Sequence, residues 1–194
     1  MTFLKLCAAL MLFFQLPIPA FWLILHPQMN FWRRHMRAGY WTAGLTAWGA
    51  AGAFIVGFHG RLLAPDGAPI WALAGGLILI FVDLYLLRRV TRDLGQARLI
   101  GHTELKGGGE LATTGIYSRV RHPRYAGMIL SMFGVCLLGW TPMLWTVAAV
   151  WLLLALSAIL MEERELRARF GADYVEYCRR VPRFFPFRLR PRVD

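Results

Sequence analysis

Apolar residues fall in four long blocks along the chain, at residues 3–25, 39–58, 70–87 and 127–161. Lys5 and Asp83 are the only charged side chains inside them. A helix needs about 20 mostly apolar residues to cross a hydrocarbon core of about 30 Å, so each of the first three blocks predicts one crossing. The fourth block, as one continuous helix, would run about 52 Å at 1.5 Å per residue, far more than one crossing needs. Gly139-Trp140-Thr141-Pro142 stands at its middle. Proline lacks an amide hydrogen and disfavours helix in the residue before it, so this tetrapeptide predicts a turn between two antiparallel crossings. The pattern therefore predicts an all-α integral membrane protein of about five transmembrane helices. It forms a single domain over residues 1–194, with three crossings in residues 1–87 and a helical hairpin inside the second half, residues 88–194.

The first block also resembles a secretory signal, with Lys5 as its charged region. Its apolar run is longer than such signals carry, and Pro17 and Pro19 interrupt it before a small-residue cleavage site of the usual form. The expectation is a retained helix, kinked at the prolines.

Composition agrees with the blocks: 57% of residues are hydrophobic and 17% charged, too apolar for an ordinary soluble domain. With five crossings, 20 of the 22 Lys and Arg residues fall on one side, in the segment holding Arg33, Arg34 and Arg37, in residues 88–125 and after Glu162. The positive-inside rule assigns that side to the cytoplasm and the N-terminus to the outside. This predicts a multi-pass protein of the inner (cytoplasmic) membrane. The net charge of +11 borders apolar helices and comes with no nucleic-acid motif, so anionic lipid headgroups of the bilayer are the expected counterions, not nucleic acid. Cys7 and Cys136 fall inside crossings and Cys178 in the tail, which suggests neither a disulfide nor a metal site.

Chemistry-bearing residues gather on the basic side. Arg121-His122-Pro123-Arg124-Tyr125-Ala126-Gly127 opens the hairpin, and Glu162-Glu163-Arg164-Glu165-Leu166 closes it. His122 can donate and accept at neutral pH where the chain enters the membrane, although a boundary histidine alone is more often structural. The glutamates can accept hydrogen bonds from ribose hydroxyls or an ammonium group. Glu163-Arg167 and Glu165-Arg169 are also spaced as i,i+4 pairs on a helix running into water, which leaves Glu162 less accounted for. Lys106-Gly107-Gly108-Gly109 predicts a flexible break, Phe170-Gly171-Ala172-Asp173 a helix stop followed by a new start, and Val181-Pro182-Arg183-Phe184-Phe185-Pro186 an aromatic, basic segment at the interface. Asp83 lies near the cytoplasmic end of its crossing, where it has a function or pairs with Arg88 or a neighbouring helix. Gly127 and Ser131 form a small-xxx-small pair, expected to bring the two hairpin helices together.

The ordered set Gly115-Ile116-Tyr117, Arg121-His122-Pro123, Tyr125, Gly127, Glu162-Glu163, Leu166, Phe170-Gly171, Tyr174, Tyr177 and Arg183-Phe184-Phe185-Pro186 resembles the isoprenylcysteine carboxyl methyltransferase family. That family shares its C-terminal pattern with phospholipid N-methyltransferases. The resemblance implies a membrane methyltransferase using S-adenosylmethionine, with a cytoplasmic C-terminal cap that binds the cofactor and no metal. It implies that Tyr117 and His122, Pro123, Arg124 and Tyr125 line the cofactor pocket. Gly109, Glu110, Leu111 and Ala112 would lie beside the adenosine, and Glu162 and Glu163 would hold the cofactor from the fifth helix. The acceptor would be a membrane lipid or isoprenylated amphiphile, methylated on a carboxylate or amine. Ala158 stands where the isoprenylcysteine enzymes carry an arginine for the substrate carboxylate. Two other classes remain open. Sterol-type reductases share an Arg-His-Pro-plus-Tyr signature and bind NADPH, but carry Asn and an acidic residue where this chain has Arg124 and Met128. The third is a non-catalytic membrane protein that retains the fold.

Overall fold

A computed structural model describes residues 2–25, 29–34, 36–63, 67–95 and 109–186. The glycine-rich break at Lys106-Gly107-Gly108, the side chains of Arg33 and Arg37, and residues 187–194 lie outside them. Among the described residues the secondary structure is helical: α1 (Thr2–Gln15), α2 (Ile18–Leu25), α3 (Met29–Arg34), α4 (Met36–Leu62), α5 (Ile70–Leu94), a short 3-10 helix (Gly115–Ser118), α6 (Pro123–Gly139) and α7 (Pro142–Arg180).

Each predicted crossing has an apolar helix. Four stretches, Phe3–Ile24, Trp41–Leu62, Ile70–Leu94 and Pro142–Arg180, are long and apolar enough to cross a membrane, and the 17-residue Pro123–Gly139 is a shorter apolar helix between the last two. The first crossing breaks between α1 and α2 at Leu16-Pro17, as the prolines predict. The break leaves the Gln15 carbonyl available, and the Trp151 indole on α7 donates to it at 2.9 Å.

The hairpin turn follows its tetrapeptide closely. Trp140 takes the left-handed conformation (φ 48°, ψ 39°) that ends α6, the Thr141 hydroxyl accepts from the Leu144 amide at 3.2 Å, and Pro142 occupies the first turn of α7. Gly139 is required there because a Cβ would collide with Leu144 and sit 2.9 Å from the Leu62 carbonyl oxygen.

The most extensive helix contact is between α5 and α6. A Cβ on Gly76 would lie 2.8 Å from the Gly134 carbonyl oxygen, so the two backbones touch. The small residues of α6 therefore serve a different partner than expected. Gly127 faces Asp83 and Leu86 on α5, rather than the other hairpin helix. On the α7 side the core includes Leu144, Trp151, Ala155 and Ile159.

Two helices outrun their apolar blocks. α5 continues past residue 87 to Leu94, with Val90 fully buried. α7 has 39 residues, about 58 Å of helix, roughly twice the hydrocarbon thickness. Residues 142–161 supply the crossing, and the charged residues 162–180 lie beyond it. At Gly171 the backbone leaves helical values (φ 53°, ψ −124°), which bends the charged extension where Phe170-Gly171 predicts a stop. Beyond the bend, Tyr174, Tyr177 and Val181 form a second small core with Leu111, Leu166 and Phe170.

Candidate functional site

The site is assembled at the entry of α6. His122 is its N-cap residue and Pro123 its first helical residue, a position whose amide needs no partner. The Arg121 amide donates to the Pro182 carbonyl at 2.9 Å and the His122 amide to the Arg183 carbonyl at 3.0 Å. These two backbone bonds fasten the aromatic, basic C-terminal segment across the motif. The His122 ring then lies 6.0 Å from Tyr125 and 6.4 Å from Phe184, centroid to centroid.

Glu163 sits at the centre of this junction, 2% exposed. Arg183 grips it with two bonds, Nε to Oε1 at 3.0 Å and Nη2 to Oε2 at 2.6 Å. Arg121 Nη2 lies 3.2 Å from Oε1, and His122 Nε2 lies 3.1 Å from the same oxygen. An ionised carboxylate only accepts, so the imidazole hydrogen of this contact is on Nε2. Burial pushes the Glu163 carboxyl up. The hydrogen bonds from His122 and Arg183 and the charge of Arg121 more than offset it, holding the group down at about 2. Hydrogen bonding to Glu163 in turn raises the Arg183 guanidinium above its ordinary value. The i,i+4 pairing with Arg167 is thus not what occupies Glu163. Its partners come from two distant segments.

Glu162 is different. Its side chain is 29% exposed, and Oε2 lies 3.9 Å from His122 Nδ1, beyond ordinary hydrogen-bond reach. One residue along the helix, this carboxylate takes no part in the ionic junction and stays partly exposed beside the imidazole.

The remaining sequence-derived candidates lie around this centre in unequal ways. The Tyr117 carbonyl accepts from the Tyr177 hydroxyl at 2.7 Å, and the Gly109 carbonyl accepts from Arg169 Nη2 at 2.6 Å, so both segments are tied to the bent extension of α7. Leu111 packs into the second core, Ala112 is half-buried, and Glu110 is exposed. Pro123 and Tyr125 are buried. Arg124 turns its guanidinium onto Asp83 of α5. Asp83 also accepts from Gln15 at 2.9 Å and from Ser131 at 2.8 Å, so a neighbouring helix is its partner, as one of the two expectations for it holds.

Residue-type reasoning left Arg121 and Arg183 outside the candidate set, as headgroup or interface cations. Their signal was adjacency: one precedes His122 directly, and the other sits in the segment that closes the ordered motif. The Nε of Arg121 is buried and has no hydrogen-bond partner among the described residues.

Comparison with known proteins adds the family. The model of the family described as phospholipid methyltransferase matches residues 71–173, more than half of the chain. Protein-S-isoprenylcysteine O-methyltransferase B of Arabidopsis thaliana is 36% identical over 80 residues, 40% of this chain and 40% of that protein. Methanethiol S-methyltransferase 2 of Bradyrhizobium diazoefficiens is 30% identical over 137 residues, covering 63% of this chain and 51% of that protein. Protein-S-isoprenylcysteine O-methyltransferase of Xenopus laevis is 29% identical over 126 residues, covering 60% and 41%. The matches span about two-fifths to one half of these relatives' length. No solved structure matches. The motifs from Gly115 to Glu163 fall inside the matched range, and the chain belongs to the phospholipid methyltransferase family, with the isoprenylcysteine methyltransferase resemblance of its motifs upheld.

Proposed function

We propose that this protein is an integral membrane methyltransferase that uses S-adenosylmethionine and acts on a lipid-like acceptor, with its site facing the cytoplasm. The observation that carries the reading is the convergence of His122 and Glu162 beside the buried Glu163 junction, at the end of two apolar helices. S-adenosylmethionine supplies an electrophilic methyl group on a sulfonium. The polar groups suit its polar parts: among the described residues Glu162 has no hydrogen-bond partner, which suits an ammonium group or ribose hydroxyls, and the buried Nε of Arg121 has none either, which suits a carboxylate. Gly109, Glu110, Leu111 and Ala112 would lie beside the adenosine.

In-line methyl transfer from a sulfonium asks little of acids or bases. The residues instead bind, orient and exclude water. Glu163 and its cations hold His122 and the C-terminal segment at fixed spacing. Tyr125 and Phe184 supply aromatic neighbours to the imidazole. A polar cofactor arrives from the cytoplasm and an apolar acceptor from the bilayer, so the mouth between α6 and α7 serves both. An apolar groove of about 150 Å³ between these helices, lined by Ile129, Met132, Phe133, Trp145, Ala148 and Leu152, supports an acceptor with a hydrocarbon part. Ala158 is fully buried and offers no charge where the isoprenylcysteine enzymes carry arginine, which favours an amine over the carboxylate of a prenylated cysteine.

Calorimetric titration of the detergent-purified protein with S-adenosylmethionine, S-adenosylhomocysteine and NADPH tests the reading. Saturable binding of the first two alone is expected. Selective binding of NADPH would replace this reading with a sterol-type reductase, and binding of none would replace it with a structural role.

A further inference from the structure

α5 carries none of the motif residues, yet it touches the motif segment at both ends. At the far end, Asp83, 1% exposed inside the helix bundle, holds the Arg124 guanidinium. At the near end, Asp93 Oδ2 accepts from the Ile116 amide at 2.8 Å, capping the 3-10 helix that begins the segment. Gly115 permits that approach: its φ is +60°, and a Cβ there would collide with the Asp93 carboxylate. The two aspartates are ten residues apart on one continuous helix, about 15 Å along its axis. Between their attachment points lie Tyr117, Arg121, His122 and Pro123.

We infer that Asp83 and Asp93 are positioning residues that clamp the cofactor-facing segment, residues 115–124, to α5 and so set where His122 and Tyr117 stand relative to Glu162. The inference rests on the proposed cofactor role of that segment. The clamp follows from elementary constraints. A segment with one 3-10 turn has little hydrogen bonding of its own, and each end needs an outside partner to be fixed. A rigid helix spanning both ends supplies one frame for both. The Asp83 end has a second half, Gln15 on α1 and Ser131 on α6, which binds helices together without touching the segment. That separation makes the positioning role distinguishable from bundle stability.

The experiment compares Asp93→Ala, Asp93→Asn, Asp83→Ala and Gln15→Leu with the parent protein in detergent. It reads S-adenosylmethionine affinity by calorimetry, amide hydrogen exchange of residues 115–124, and thermal stability. Asp93→Ala should weaken binding about tenfold and speed exchange at Ile116 and its neighbours, with little change in melting temperature. Asp93→Asn keeps an acceptor for the Ile116 amide and should recover most of the affinity. Asp83→Ala should lose affinity and stability together, whereas Gln15→Leu, which leaves Arg124 on Asp83, should lose stability alone. Unchanged affinity and exchange in Asp93→Ala, with a parent that binds, would overturn the clamp and leave the cofactor reading intact. Equal affinity loss in Gln15→Leu and Asp83→Ala would reduce Asp83 to bundle packing and likewise overturn it. A parent that binds no S-adenosylmethionine removes the cofactor reading; exchange of residues 115–124 in Asp93→Ala then decides the clamp alone, upheld if faster and overturned if unchanged.

Discussion

Two faces of α7 diverge at a single turn beyond the membrane crossing. On one, Glu163 is 2% exposed and committed to Arg121, His122 and Arg183. On the other, Glu162 is 29% exposed and, among the described residues, has only His122 as an ionic neighbour, at 3.9 Å. Consecutive helical residues point about 100° apart, so the pair cannot share one environment. The difference teaches that a doubled acidic motif at a helix end can divide its work, one carboxylate building the frame and its neighbour left outside it.

The division breaks most visibly at Glu163. Glu163→Ala leaves two guanidinium groups and an imidazole without the carboxylate they share, and losing one partner of a buried ionic cluster costs about 3 kcal/mol. Thermal denaturation in detergent should show that loss, with Glu162→Ala far smaller. Equal shifts for the two variants would erase the distinction between frame and ligand face.

Gly171 tests what holds the inward face in place. Its φ of 53° and ψ of −124° swing residues 172–180 so that Tyr174 and Tyr177 reach Leu111 and the Tyr117 carbonyl. A Cβ there meets no atom within 4 Å, so Gly171→Ala isolates backbone strain, about 2 kcal/mol for such a conformation. The melting temperature should fall without loss of the Glu163 junction. An unchanged melting temperature would mean that the extension is not held by this bend.

These contrasts mark how far the sequence could be read. The crossings were legible because a helix in lipid must be apolar over a known length, and the hairpin because Gly139 and Pro142 interrupt a block too long for one crossing. The ordered motif pointed to segments that meet at the Glu163 junction. What stayed hidden was set by packing between segments distant in sequence. Glu163 spaced four residues from Arg167 reads as a solvent pair, and only the fold brings Arg121 and Arg183 to it. Asp93 was invisible for the same reason: α5 runs past its apolar block, and no local pattern says that Val90 is buried and the helix continues.

Glu162 is expected to show the converse of Glu163. Glu162→Gln keeps the shape and one acceptor oxygen but removes the charge. S-adenosylmethionine affinity should fall about tenfold, equivalent to about 1.4 kcal/mol, while the melting temperature stays near that of the parent. Calorimetry on Glu162→Gln beside Glu163→Gln sharpens the contrast, since full affinity in a well-folded Glu162→Gln would take the ligand role from this residue.

The smallest effect is in acid, and its direction is fixed by linkage. Glu163 is held down at about 2 in the folded protein against an ordinary value of 4.5, so the unfolded chain binds its proton first as pH falls. Its contribution to stability is complete well above 4.5 and is lost progressively from there down to about 2. Comparing the parent with Glu163→Gln cancels the carboxylates that the two share. Their stability gap should be constant from about pH 8 to 5.5 and about 0.4 kcal/mol narrower at pH 4.5, where the unfolded carboxyl is half protonated. A gap that already narrows between pH 8 and 6 would place the titration on a group other than a Glu163 held down at about 2, and the carboxylate would not be the ionised centre of the junction.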